Sequence, residues 1–302
     1  MSEAEPVRLV ASYFTLAGDL IPFAGDAPAR FDLAARADAA ARAGYVGIGI
    51  ETSDLAHNVE RHGYAGMRRI LSDAGLTYVE LEVLTDWFAD GDRRAASDAT
   101  RRLMLQAAQE LGVAKIKTIG DAEGGMDFAI RRDPWPMARL AEDYGRLARE
   151  AARSGALVTL ELVPGTGVCD LATARAIVEG AGEANAGLLV DIWHLSRSGI
   201  PYADILDLPP GLINAVEVDD AMADMVGTVF EDTINNRKLP GEGELDVPHF
   251  LSCVAATGYD GVYGVEMVSN AHRRLPLDQA AERAFATTMA QFAAARRAQP
   301  ST

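Results

Sequence analysis

The chain has 302 residues, 49% of them hydrophobic, and a formal net charge of −16. A surface this acidic repels phosphate backbones and argues against a nucleic-acid partner, and no apolar run reaches the ~18 residues of a membrane span. Cys169 and Cys253 are too few and too scattered for a disulfide framework, and the start MSEAEPVRLV lacks a signal peptide's basic and apolar regions, so a reduced cytoplasmic setting is expected.

Short apolar runs alternate with amphipathic segments along the whole chain. Strands are expected near Leu9–Thr15, Val46–Glu51, Tyr78–Leu84, Lys115–Ile119, Leu157–Val163, Gly187–Ile192, Ala215–Val218 and Val262–Met267. Between them, Phe31–Ala43, Ala95–Leu111, Met137–Ser154, Leu171–Glu179, Val247–Thr257 and Leu277–Ala294 carry helical periodicity. Gly44, Gly75, Gly112 and Gly258 stand just before strands, where glycine closes a helix in the left-handed conformation. Eight strands, each followed by a helix, favour a closed (β/α)8 TIM barrel over an open doubly wound sheet. No G-x-G-x-x-G fingerprint follows the first strand, which weakens the open-sheet alternative. No linker divides the chain, so residues 1–302 are expected to form one domain. The long connection at about 221–244, bent by Pro240, Gly241 and Gly243, is expected to lie over an active site.

Strands five to eight each carry an acid within or at the end of an apolar run: Glu161, Asp191, Glu217 and Glu266. A buried, unpaired carboxylate costs several kcal/mol. In a parallel barrel these four strands are neighbours, and four converging carboxylates repel one another unless a cation joins them. Oxygen-rich ligation suits Mg²⁺ or Mn²⁺, with Co²⁺ tolerable. The alternative for each acid alone is an outward ion pair with a surface Arg or Lys.

At this point the sequence resembles the xylose-isomerase-like barrel superfamily of sugar isomerases, epimerases and related enzymes. The resemblance rests on Glu161 before Pro164-Gly165, on Asp191-Ile-Trp-His194, on the run from Arg237 to Asp246, and on Gly258-Tyr-Asp-Gly leading to Gly264-Val-Glu266. It implies Glu161, Asp191 and Glu266 as metal ligands and puts position 217 in the remaining slot. Glu217 departs from the family's His or Gln there. Either Glu217 is itself a ligand in an all-carboxylate shell, or Asp219 or Asp220 lies nearer the site.

The resemblance also implies that His194 contacts a substrate oxygen. Arg237, in the long connection, is a candidate clamp for a substrate hydroxyl, carboxylate or phosphate; Glu242 and Glu244 are weaker candidates. Glu80 and Glu82 share one face of strand three, and Glu82 either bonds a substrate hydroxyl or His194, or forms an outward ion pair. Trp87 and Phe88 are placed to wall the pocket. Lys117 either reaches the substrate or snorkels to the surface. His57, His62, His249 and His272 receive no role, and the branch of the superfamily that cuts DNA with a zinc cluster is rejected.

The leading expectation is a metal-dependent isomerase or epimerase of a sugar or polyol ketone, in which Glu161 and Glu266 exchange the proton through an enediolate. The runner-up is a dehydratase of a cyclic hydroxyketone such as an inosose or dehydroshikimate. A third reading is a non-catalytic sugar-binding or partner subunit. Homo-oligomerisation is left open.

Overall fold

The second strand reads Gly-Ile-Gly-Ile-Glu, with glycine on one face and isoleucine on the other. That alternation recurs through most of the sheet: apolar residues face outward against helices, and small or polar residues face the barrel axis, with Val10 and Leu189 as apolar exceptions on the inner face. The computed structural model describes residues 6–22, 25, 27–120 and 136–298. The strands are β1 (Leu9–Ala11), β2 (Gly47–Glu51), β3 (Tyr78–Leu84), β4 (Lys115–Ile119), β5 (Leu157–Glu161), β6 (Ala186–Asp191), β7 (Ile213–Val218) and β8 (Tyr263–Val265). All neighbours pair in parallel, and β8 pairs with β1, so the sheet closes in chain order. The fold is a (β/α)8 barrel.

The helices are α1 (Tyr13–Leu16), α2 (Leu33–Ala43), α3 (Thr52–Asp73), α4 (Gly91–Leu111), α5 (Met137–Ala152), α6 (Leu171–Ala181), α7 (Ile192–Arg197), α8 (Val229–Asn235), α9 (Val247–Ala256) and α10 (Leu277–Ala298). Gly44 and Gly112 close α2 and α4 in the left-handed conformation, with φ of 110° and 66°. Several details differ from the sequence expectation: β5 and β8 stop at Glu161 and Val265, short of the expected Val163 and Met267. The first strand ends at Ala11, and its expected continuation is helix α1. After β6 the helix layer is thin, with only the six-residue α7 and a 3-10 turn at Tyr202–Asp207.

The outward positions form the main hydrophobic core. Ile48, Ile50, Leu81, Ile116, Leu160, Leu188, Val190, Val216 and Val265 are all buried between barrel and helices. The inward positions are unusual for a barrel, whose axis is ordinarily filled with branched apolar side chains. Here β3 and β4 turn Glu80, Glu82 and Lys117 inward, where they pair with one another. Glycines make the room. A Cβ at Gly49 would stand 2.2 Å from Glu82 Oε1, and one at Gly264 would stand 2.8 Å from Glu217 Cγ. The sequence thus hollows the axis and fills it with charge.

Candidate active site

The four acids come together at the C-terminal ends of their strands, the end where sites of this architecture are built. Glu161 ends β5, and its Oε1 lies 3.1 Å from His194 Nε2. Asp191 ends β6 and caps α7: its Oδ1 accepts from the backbone N–H of Trp193 at 2.6 Å and of His194 at 3.1 Å. The cap holds the imidazole one turn along, beside Glu161. Glu266 stands just past β8, with Oε2 3.0 Å from Arg237 Nη1. Glu217 lies deeper, on β7, directly paired in register with Asp191.

Among the described residues, Arg237 and Lys117 are the cations at this acidic end, and each is shared among three carboxylates. Arg237 Nη1 donates to Asp191 Oδ2 at 2.9 Å, lies beside Glu266, and also donates to Asp219. Its guanidinium sits 5.1 Å above the buried Trp193 ring and is 1% exposed. Lys117 Nζ lies 2.6 Å from Glu217 Oε1, 3.0 Å from Glu80 Oε2 and 3.1 Å from Glu82 Oε1. Ser12, just past β1, donates to the same Glu217 oxygen at 2.5 Å and meets Lys117 at 3.2 Å. Glu82 also accepts from the backbone N–H of Tyr13 at 2.9 Å.

Charge remains unbalanced. Burial pushes the Glu217 carboxyl up to about 8; Lys117 opposes this, while Glu161, Glu82 and Asp191 add to it. Burial, then Glu217, pushes Glu266 well above the ordinary carboxylate range against the pull of Arg237. Burial likewise raises Asp219 despite Arg237. Burial opposes ionisation of Asp191 too, but Arg237, His194 and the capped backbone outweigh it and hold Asp191 low. Lys117 is held well above its ordinary range because Glu217, Glu80 and Glu82 overcome its burial.

A divalent cation fits this excess. Ligand atoms of Asp191, Glu217 and Glu266 all lie within 4.8 Å of one another, and Glu161, Asp191 and His194 form a second such group sharing Asp191. Glu217 Oε2 is buried and has no hydrogen-bond partner among the described residues, which a metal ion would satisfy. The donor set is almost wholly oxygen, suited to a hard cation.

Above the acids opens a cleft of about 940 Å³. Glu82, Lys117, Glu161, His194, Arg237 and Glu266 all line it. Asp191 and Glu217 lie beneath its floor, at 1% exposure each. The cleft continues past Phe14, Ile21, Val83 and Leu103 toward α3 and α4, where Thr52, Ser53, Arg93 and Thr100 also line it, so apolar and polar side chains mix at that end. The long connection after β7 closes one side through Thr233 and Arg237. Asp220 fastens it by accepting the backbone N–H groups of Ala221, Gly241, Gly243 and Leu245 at 2.7 to 3.0 Å. The same connection carries α8, begun by a capping box between Thr228 and Glu231.

Several sequence expectations resolve here. Trp87 does not wall the cleft. Its indole N–H donates to Ile119 O at 2.8 Å, and its ring packs against Phe88 and Tyr144 at 0% exposure. The turn after β3 swings it into the helix layer, so its assignment to substrate contact is corrected. Lys117 points to the axis, not to the surface, and Glu82 pairs inward. Asp219 and Asp220 are occupied by Arg237 and the loop backbone. Glu242 pairs with Arg283, and Glu244 accepts from Ala223 N, both at exposed positions. Glu80, Ser12 and Tyr13 belong to the site's floor and were not expected there. The Ser12 hydroxyl directly after the apolar run Leu9–Ala11 was the available signal.

Residues 37–289 match the family profile described as the xylose isomerase-like TIM barrel. The chain is 31% identical over 250 residues to a 3-dehydroshikimate dehydratase of Pseudomonas aeruginosa, covering 79% of this chain and 36% of that protein. It therefore spans little more than a third of that relative's length. It is 28% identical over 145 residues to an inosose isomerase of Halalkalibacterium halodurans, covering 47% of this chain and 50% of that protein. Among solved structures, the IOLI protein with a bound zinc atom superposes with a TM-score of 0.79 at 18% identity, covering 98% of this chain and all of that one.

Proposed function

This chain belongs to the xylose isomerase-like TIM barrel family, and from that membership we propose that it is a divalent-metal-dependent enzyme that moves a proton beside the carbonyl of a polyhydroxylated ketone. One observation carries the reading: Asp191, Glu217 and Glu266 form one potential ligand group and Glu161, Asp191 and His194 a second that shares Asp191, where among the described residues Arg237 and Lys117 leave carboxylate charge uncompensated. Glu161, Asp191, Glu217 and Glu266 hold the ion, with Mn²⁺ or Mg²⁺ favoured by the oxygen donors. When bound, the ion supplies Lewis-acid polarisation of the ketone and so acidifies the neighbouring C–H.

The protein's own groups do the rest. Glu161 and Glu266 reach the cleft from different strands, so a substrate between them meets one carboxylate on each side. One removes the proton on carbon, and the other delivers a proton to the opposite face or to a neighbouring carbon. His194, fixed by the Asp191 cap, donates to or accepts from a substrate oxygen. Arg237 keeps Asp191 and Glu266 oriented, and its position at the cleft wall lets its guanidinium touch a substrate hydroxyl. The end of the cleft toward α3 and α4, lined by both apolar and polar side chains, accommodates the carbon skeleton and hydroxyls of a ring. The leading reading is therefore an isomerase or epimerase of a sugar, polyol ketone or inosose.

A second reading is a dehydratase on the same proton removal, with a β-hydroxyl leaving as water. It is favoured by the dehydroshikimate dehydratase relative, which matches more of this chain than the inosose isomerase does. Incubating ketoses, inososes and dehydroshikimate in deuterated water with Mn²⁺ tests both. Deuterium at carbon with no change in the ultraviolet spectrum supports isomerisation; a new conjugated chromophore from a ketose or inosose, or conversion of the dehydroshikimate enone into an aromatic catechol, supports dehydration. No exchange into any of these, with the metal bound, defeats both.

A further inference from the structure

Beneath the proposed metal ligands lies another group of carboxylates: ligand atoms of Glu80, Glu82 and Glu217 lie within 4.8 Å of one another. That is the make-up of a cation site, and it is filled. The Lys117 ammonium stands among the three at 3.0, 3.1 and 2.6 Å, 3% exposed. Glu217 belongs to both groups. One of its oxygens takes Lys117 and Ser12, and the other has no hydrogen-bond partner among the described residues. The site therefore has the layout of a two-cation centre joined by a shared carboxylate, with one cation supplied by the chain.

We propose that Lys117 is a permanent second cation. It occupies the lower carboxylate site, limits the centre to one exchangeable metal ion per chain, and holds Glu217 as the carboxylate shared between ammonium and metal. The packing supports a fixed role. Gly264 lets Glu217 and Ser12 sit against β8, because a Cβ there would meet Glu217 Cγ at 2.8 Å and Ser12 Oγ at 2.9 Å. Gly49 does the same for Glu82. Lys115, the next inward residue on β4, approaches Glu80 only at 3.8 Å and does not enter the group. The pairing also accounts for an acid at position 217. A neutral side chain there leaves Lys117 with two carboxylates, whereas Glu217 serves both cations. Lys117 is a positioning residue in this account.

The inference rests on the metal reading above, and metal counting separates the two. Metal-free full-length protein is titrated with Mn²⁺, and bound ions are counted by equilibrium dialysis and electron paramagnetic resonance. Wild type and Lys117→Arg are expected to bind one ion. Lys117→Ala, which vacates the lower site, is expected to bind two, with spin coupling between them. Adding Glu80→Gln and Glu82→Gln to Lys117→Ala is expected to return the count to one. A count of two in wild type, or of one in Lys117→Ala, overturns this inference and leaves the metal reading standing. No ion in wild type overturns both. If metal-free Lys117→Ala does not stay folded, it is refolded with Mn²⁺: recovery with two ions is expected, while recovery with one, or none at any Mn²⁺ concentration, overturns the inference.

Discussion

Lys117 of β4 and Glu217 of β7 meet across the barrel axis, with Nζ 2.6 Å from Oε1, although the two strands are not neighbours in the sheet. Gly264 on β8 leaves room for Glu217, because a Cβ there would stand 2.8 Å from Glu217 Cγ. The contact ties the side chain where this chain departs from the familiar ligand pattern to a lysine that spacing alone left undecided between substrate and surface.

Replacing Glu161 or Glu266 by Gln removes a proton-transfer group while keeping its shape. General acid–base groups contribute about 10² to 10⁴ in rate, so each variant is expected to lose at least about a hundredfold in kcat. The far-ultraviolet circular dichroism should stay unchanged. Solvent deuterium exchange into the ketone checks this, and near-normal exchange in both variants would remove Glu161 and Glu266 from the mechanism.

The metal-free protein has a stability cost at Glu217. Its carboxyl keeps its proton up to about 8 in the folded state, against an ordinary value of 4.5. The unfolded chain releases that proton near 4.5, so this group's stabilisation is complete below 4.5 and is lost as pH rises toward 8. Each unit is worth about 1.4 kcal/mol, so relative to Glu217→Gln the metal-free wild type should weaken by a few kcal/mol across that range. Mn²⁺ should abolish the decline. Urea titrations at pH 5 and pH 8 measure it, and parallel curves for the two proteins would contradict it.

His272 behaves in the opposite sense. Burial is the main cause that holds its imidazole below 6.5, and its Nε2 donates to Thr15 O at 2.9 Å in the neutral form. The unfolded chain gains a proton near 6.5 while the folded chain resists it. Stability from this group is therefore complete above that pH and falls as pH drops below it. His272→Gln should show a shallower loss of urea midpoint between pH 7 and pH 5 than wild type. An identical slope would show that His272 is not the group responsible.

Asp220 accepts four backbone N–H groups and so fixes the connection that carries Arg237. An unsatisfied buried donor costs about 1–3 kcal/mol, and water can reach some of these, so Asp220→Ala should lose about 2–4 kcal/mol. It should also lower kcat by loosening Arg237. Chemical denaturation together with turnover checks both effects, and a loss under about 0.5 kcal/mol, within the range of ordinary surface substitutions, would contradict the anchoring role.

Much of the barrel was legible because its outward strand faces are continuous β-branched and aliphatic runs, and the helix ends carry glycines. The acids at 161, 191, 217 and 266 stood out against those runs. What stayed illegible were residues whose direction depends on register. Lys117 reads the same whether it faces axis or surface, since a shift of one position reverses a strand's faces. Trp87 follows a strand end and could turn either way; only its bond to Ile119 O and its packing on Tyr144 fix it in the core. The bend at Ser12 that ends β1 has no proline or glycine to announce it, so the first strand read too long.

The most direct test is calorimetric titration of the metal-free protein with Mn²⁺, beside Asp191→Asn and Glu266→Gln. One ion per wild-type chain is expected, with binding severely weakened in both variants. A wild type that binds no divalent ion, or variants that bind it as tightly as wild type, would contradict a metal centre built from these acids.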